Sequence, residues 1–224
     1  MLRQQLEEVE ARIERAARRI GRRREDITLI AVTKQFPASA IREAYLAGVR
    51  SFGENYVQEF EGKFREVSDL AGAQFHLIGH LQSNKAQRAA QLFDVIQTVD
   101  SAKLARRLSE APEFRAGRKL PVMLEVKLSE EETKSGAFPE ELPALIEALR
   151  SAGSLELTGL MTMPPWSEDP EQSRPYFQRL RELGERFGLR SLSMGMSQDF
   201  EVAIEEGATH VRLGTALFGP REQA

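Results

Sequence analysis

Short, almost wholly apolar runs alternate along this chain with longer stretches whose apolar residues recur every three or four positions. The first 24 residues are of the second kind. Leu2, Leu6, Val9, Ile13, Ala16 and Ile20 make one face of a helix, and Gly21 is a stop signal. The apolar runs fall at 27–32, 49–53, 74–78, 94–98, 121–126, 155–161, 191–194 and 210–213, and each predicts a strand. Helical periodicity fills the intervals at 39–47, 56–70, 84–92, 102–108, 140–149, 170–187 and 197–206, with Ser101 placed as an N-cap. Continuous apolar strands separated by helices indicate a parallel sheet buried on both faces. Eight such units in one chain predict an α/β fold closed as a single (β/α)8 TIM barrel over 1–224, with an additional N-terminal helix. The alternative is an open doubly wound sheet, but no Gly-x-Gly-x-x-Gly fingerprint follows the first strand. No Pro/Gly/Ser-rich linker divides the chain.

Composition narrows this picture. A length of 224 residues suits one barrel, and 41% hydrophobic with 29% charged residues excludes disorder. A net charge of −3 does not suggest a dedicated nucleic-acid binder. There is no cysteine, which excludes disulfides, thiolate metal sites and cysteine nucleophiles. No apolar run approaches the roughly 20 residues that span a bilayer. The charged N-terminus is not a secretory signal, so a cytoplasmic protein without membrane attachment is expected. The arginines around Gly21 read as a solvated helix end, where cations meet the negative pole of the dipole.

In such a barrel the chemistry sits at the carboxyl ends of the strands. Two of these ends match each other. Ser193-Met194-Gly195-Met196-Ser197 leads from the seventh strand into a helix, and Arg212-Leu213-Gly214-Thr215 closes the eighth. Glycine admits a ligand close to the backbone, and Ser197 either caps the new helix or offers its hydroxyl to an anion. The pair therefore reads as a phosphate site, with two routine tight turns as the alternative. Alternation turns Arg212 into the barrel mouth, where a buried guanidinium needs a partner. A ligand atom and a barrel carboxylate such as Glu125 are both open. Lys34 ends the first strand and Lys127 the fifth; an amine in a partly apolar pocket forms a Schiff base with an aldehyde, and spacing does not choose between the two. His76 and His80 lie too far apart along extended chain to share a metal ion. Met161, Met163 and Trp166 read as core and turn.

Taken in order, the motifs resemble a known family. They are Ala31-Val32-Thr33-Lys34, Phe52 to Glu59 (FGENYVQE), His76 to Lys85 (HLIGHLQSNK), Thr133-Lys134-Ser135-Gly136, Leu157 to Met161, Ser193 to Ser197, and Val211 to Gly219 (VRLGTALFG). Together they are similar to the pyridoxal-phosphate homeostasis proteins (the YggS/PROSC group) over almost the whole chain. The resemblance implies a fold-type III barrel like the alanine racemase N-terminal domain, with pyridoxal 5′-phosphate carried by Lys34 as a Schiff base. It implies that Ser197, the Met196 backbone, Gly214 and Thr215 hold the phosphate. Asn55 is implied near the ring, and Arg212 opposite the pyridine nitrogen. Two departures stand out: Gln35-Phe36 where the family more often has a small or basic pair, and Lys127 where asparagine is expected.

An arginine at the pyridine nitrogen weakens the ring as an electron sink. The expected function is therefore a monomeric binding protein that buffers pyridoxal phosphate and hands it to apo-enzymes, without robust catalysis. The alternatives are a weak amino-acid racemase or lyase, and a barrel enzyme acting on another phosphorylated metabolite.

Overall fold

The computed structural model describes residues 2–111, 118–131 and 134–220. Eight parallel strands close into a barrel in chain order: β1 (Thr28–Val32), β2 (Ser51–Glu54), β3 (Gln74–Leu77), β4 (Val95–Val99), β5 (Leu120–Glu125), β6 (Leu155–Met161), β7 (Ser191–Met196) and β8 (His210–Leu213). Closure is made by β1 against β8, in the register Thr28 to His210 through Ala31 to Leu213. The helices are α1 (Leu2–Arg19), α2 (Ala38–Leu46), α3 (Val57–Val67), α4 (Ala86–Leu92), α5 (Ala102–Ser109), α6 (Leu142–Ser151), α7 (Arg174–Phe187), α8 (Phe200–Glu205) and α9 (Thr215–Phe218). The predicted strands and helices are all present, with ends shifted by a few residues. Ser101 caps α5 as expected, its hydroxyl accepting from Leu104 N at 3.3 Å. The short α9 was not anticipated, because four residues are too few to show a period.

Alternation divides each strand between two environments. Leu29, Ala31, Phe52, Leu77, Ile96, Leu124, Val211 and Leu213 pack outward into one apolar cluster with the helices, including Ile13, Ile41, Phe60, Leu104, Leu149 and Phe177. The buried face of α1 is the one that the periodicity marked, from Leu2 to Ala16. Ile20 lies beyond the helix end and is exposed, since Gly21 takes a left-handed φ of 70°. The arginines around it are not all simply solvated. Arg18 and Arg23 are largely exposed, but Arg19 pairs with Glu205 at 2.9 Å and Arg22 donates to Ala208 O at 2.7 Å, and further up α1 Arg12 pairs with Glu201 at 2.6 Å. These last three lash α1 to α8 and to the turn before β8.

The inward positions are unusually polar. Arg212 Nη1 donates to Ser193 Oγ at 2.7 Å, and Ser193 Oγ donates to Gln97 Oε1 at 2.6 Å. With that oxygen occupied, the Gln97 amide nitrogen, 3.1 Å from His76 Nδ1, is the donor and the imidazole the acceptor. The column thus runs from β8 across the barrel to β7, β4 and β3. Burial pushes His76 down to about 3, helped by His210, and pushes His210 down to about 4, helped by Arg212. Both rings are neutral when folded, so the unfolded chain binds more protons in acid. The stability these rings contribute is complete above their ordinary value of 6.5 and drains as pH falls towards 4 and then 3. Between about pH 6.5 and about pH 5, wild type should lose roughly 2 kcal/mol more than His76→Leu, whatever the variant's stability at neutral pH. Urea unfolding at the two pH values measures the difference; parallel curves would refute it.

Candidate ligand-binding site

The carboxyl ends of the strands surround a cavity of about 250 Å³. This is near the small end of ligand pockets, which run from roughly 300 Å³ upward. Lys34, Asn55, Met196, Ser197, Arg212, Gly214 and Thr215 all line it. The seven residues come from the ends of β1, β2, β7 and β8, which barrel closure makes neighbours. Val32, Ile78, Met163 and Trp166 supply apolar wall.

The two glycine loops form one corner. Gly195 takes φ 93°, and a Cβ there would lie 2.5 Å from Ala203 Cβ. Only glycine lets β7 turn so closely over α8. Ser197 does not cap that helix: α8 begins at Phe200, and Asp199 precedes it. Asp199 Oδ1 instead accepts from Met196 N at 2.7 Å, and its Oδ2 accepts from Ser173 Oγ at 2.8 Å, so the loop is folded around a buried carboxylate. This frees Ser197 to reach the other loop, where its Oγ accepts from Ala216 N at 3.2 Å. The hydroxyls of Ser197 and Thr215 therefore belong to one joined surface.

Arg212 points into the barrel mouth, as alternation requires, and is almost fully buried. Glu125, the carboxylate proposed as a partner, does not bond it. Nη1 rests on Ser193 Oγ, and Nη2 donates to Thr162 O at 2.9 Å. Desolvation pushes the guanidinium down to about 10, opposed by the fields of Asp199 and Glu125. Glu125 is buried with Oε2 unpartnered in the protein, and desolvation, then repulsion from Asp100, pushes it up to about 7 against the pull of Arg212.

Lys34 and Lys127 are separated by position. Lys34 shares the cavity with the two loops. Lys127 lines an adjoining cavity of about 430 Å³ together with Glu125, Ser129 and Lys134, and its ammonium lies 5.4 Å from the centre of the Phe138 ring. Met163, Trp166 and Met196 divide the two spaces. Met161 is core, and Met163 and Trp166, in the irregular loop after β6, are also cavity wall. No local signal marked the two, since the β6–α7 loop carries no periodic pattern. Phe36 packs against Phe218 of α9 with ring centres 5.0 Å apart and the rings tilted, so the unusual Gln35-Phe36 pair ties the lysine loop to the segment after Thr215. Beneath that loop lies a group that the sequence did not reveal, the buried pair Glu54 and Lys63, 3.0 Å apart. His80 is exposed beside Asp100 while His76 is inside the barrel, and no cluster of metal-ligating side chains occurs among the described residues. Thr133 lies outside the described residues. No described helix is long and apolar enough to cross a membrane.

The alanine racemase N-terminal domain model matches residues 5–222, so fold and site together define a barrel of the alanine-racemase class. Within it the relatives are more specific. A pyridoxal phosphate homeostasis protein of Pseudomonas aeruginosa is 49% identical over 217 residues, covering 96% of this chain and 93% of the relative. Another from Aquifex aeolicus is 42% identical over 225 residues, covering 98% of each. The PipY protein of Synechococcus elongatus PCC7942, solved with PLP bound, superposes with a TM-score of 0.84 at 38% identity, covering 98% of this chain and 100% of that one. The chain belongs to the pyridoxal phosphate homeostasis protein family.

The raised Glu125 carboxyl gives a test of this electrostatic balance. The folded protein holds its proton more tightly than the unfolded chain. The stability it contributes is complete below the ordinary value of 4.5 and is lost as pH rises to about 7. Glu125→Gln should escape that loss, gaining up to about 3 kcal/mol on wild type between about pH 5 and about pH 8. Denaturant midpoints of the two proteins across this range decide the matter, and a constant difference would contradict it.

Proposed function

We propose that the chain binds pyridoxal 5′-phosphate in the cavity between β1 and β8, and that its role is to hold and release this cofactor inside the cell. The observation that carries the reading is the meeting, in one small cavity, of a strand-end amine, two hydroxyl-bearing glycine loops and a buried guanidinium bonded to no carboxylate among the described residues. The donor set suits the group. The Ser197 and Thr215 hydroxyls and the Gly214 backbone receive the phosphate. Apolar wall from Val32, Met163 and Trp166 faces the ring, and Asn55 lies on the β2 side. Arg212 meets the pyridine nitrogen, and as a cation it disfavours a proton there. When bound, the group supplies an aldehyde that condenses reversibly with an amine and a ring that withdraws electrons. Lys34 offers the amine, so attachment is covalent while the phosphate corner gives a second, separable hold. A two-part grip of this kind suits storage and delivery to apo-enzymes, with the cation at the ring nitrogen working against carbanion chemistry. We read the protein as a monomeric cytoplasmic barrel on this basis.

Two substitutions separate the two holds. Lys34→Ala should abolish the absorption band of the lysine-bound aldehyde while leaving weak, dialysable binding. Equal affinity in mutant and wild type would remove Lys34 as the anchor. Ser197→Ala combined with Thr215→Val should leave the band in place and weaken affinity by roughly 10–100-fold per hydroxyl lost, the worth of a charge-assisted hydrogen bond. Equilibrium dialysis reports this, and an unchanged constant would place the phosphate elsewhere.

A further inference from the structure

We propose that Lys63, Glu54 and Glu59 are positioning residues for Lys34, gripping the peptide groups on both sides of it so that its amine is presented from a fixed backbone. The inference rests on the reading of Lys34 as the aldehyde-binding amine.

Lys63 is on α3, on the outer side of the strands, yet its side chain is largely buried. An ammonium has three protons to donate, and all three are committed. Nζ donates to Thr33 O at 2.9 Å, to Glu54 Oε1 at 3.0 Å and to Glu59 Oε1 at 2.6 Å. Glu54, fully buried, also accepts from Thr33 Oγ1 at 2.8 Å. Glu59 Oε1 accepts in addition from Gln35 N at 2.6 Å. These bonds converge on the residues immediately before and after Lys34. Thr33 is held at its carbonyl, at its hydroxyl and, through Gly53 O at 3.0 Å, at its amide. Gln35 is held at its amide in a left-handed conformation, φ 64°, the one non-glycine residue with positive φ among the described residues. Side chains adopt that region sparingly, and it persists where surroundings over-determine it.

Simple packing does not account for the arrangement. Buried ion pairs are weak stabilisers, and apolar residues of similar volume commonly do as well. What the three charges do here, and apolar residues would not, is bond two peptide groups that flank a single side chain. A flexible lysine samples many rotamers, so fixing its backbone is the part of its placement that the protein can impose through neighbouring residues.

The test uses the full chain and three variants. Glu59→Leu removes the acceptor from Gln35 N at a partly exposed position, Glu59→Gln keeps an oxygen there, and Lys63→Met removes the donor to Thr33 O on the other side of Lys34. In the cofactor-free protein, amide hydrogen exchange over 34–36 should rise about tenfold or more in Glu59→Leu and stay near wild type in Glu59→Gln. On mixing with pyridoxal phosphate, the lysine-bound absorption band should grow about tenfold more slowly in Glu59→Leu and Lys63→Met, with Glu59→Gln again near wild type. Affinity for pyridoxamine 5′-phosphate, which has no aldehyde and reads only the rest of the site, should change less than about twofold. Unchanged exchange overturns the proposal. So does faster exchange with an unchanged rate of attachment. A parallel fall in attachment rate and pyridoxamine phosphate affinity also overturns it, since the cluster then supports the site as a whole. Failure of the underlying reading shows separately, as a Lys34→Ala protein that keeps wild-type affinity and the band.

Discussion

The pairing of β1 with β8 is the constraint on which the site depends. Lys34 stands at one end of the barrel sequence and Thr215 near the other, 181 residues apart, the difference between 215 and 34. Only when the sheet closes, with Ala31 opposite Leu213, do the amine and the two glycine loops share a wall. The Phe36–Phe218 contact repeats the closure one layer higher, between the loops themselves. An open sheet with the same strands would keep every motif and have no site. Closing the sheet also abolishes its edges, which is why a run of such apolar strands can be carried without exposing a pairing surface.

Closure sets the electrostatics too. The interior holds Arg212, Glu125, His76, His210, Gln97 and Ser193, a polar set in surroundings that penalise charge. The barrel resolves this by keeping the imidazoles neutral and ordering the hydrogen bonds of Arg212 through Ser193 to Gln97 and His76. Arg212 stays charged against a balance of fields from Asp199 and Glu125 that bond it at no point. Its guanidinium edge is thus held in place by neutral groups, and its charge is compensated only at a distance.

Much of this was legible in the sequence, because the determining signals are local. Short, almost wholly apolar runs mark the strands, and a period of three to four residues marks the helices. Glycine followed by a hydroxyl marks a turn that can meet an anion, and the strand-end positions of Lys34 and Arg212 follow from counting. The parts that escaped are those set by long-range contacts. Ser197 does not fill the capping role open to it, because the chain runs three residues further before α8 starts. Whether Lys34 or Lys127 joined the two glycine loops depended on which strands the barrel makes adjacent. The Glu54–Lys63–Glu59 cluster lies within ordinary helix and strand patterns, and no motif marks Lys63. Nothing short of the folded positions distinguishes it from a surface charge.

Trp166 is the chain's single tryptophan, and it is largely exposed on the wall between the two cavities. Its indole is wet, so its emission is set by the water and by whatever settles against it. Any molecule entering either space alters those surroundings at one known point. The barrel therefore contains its own optical gauge of occupancy, with no second fluorophore of its kind elsewhere in the chain to dilute the signal.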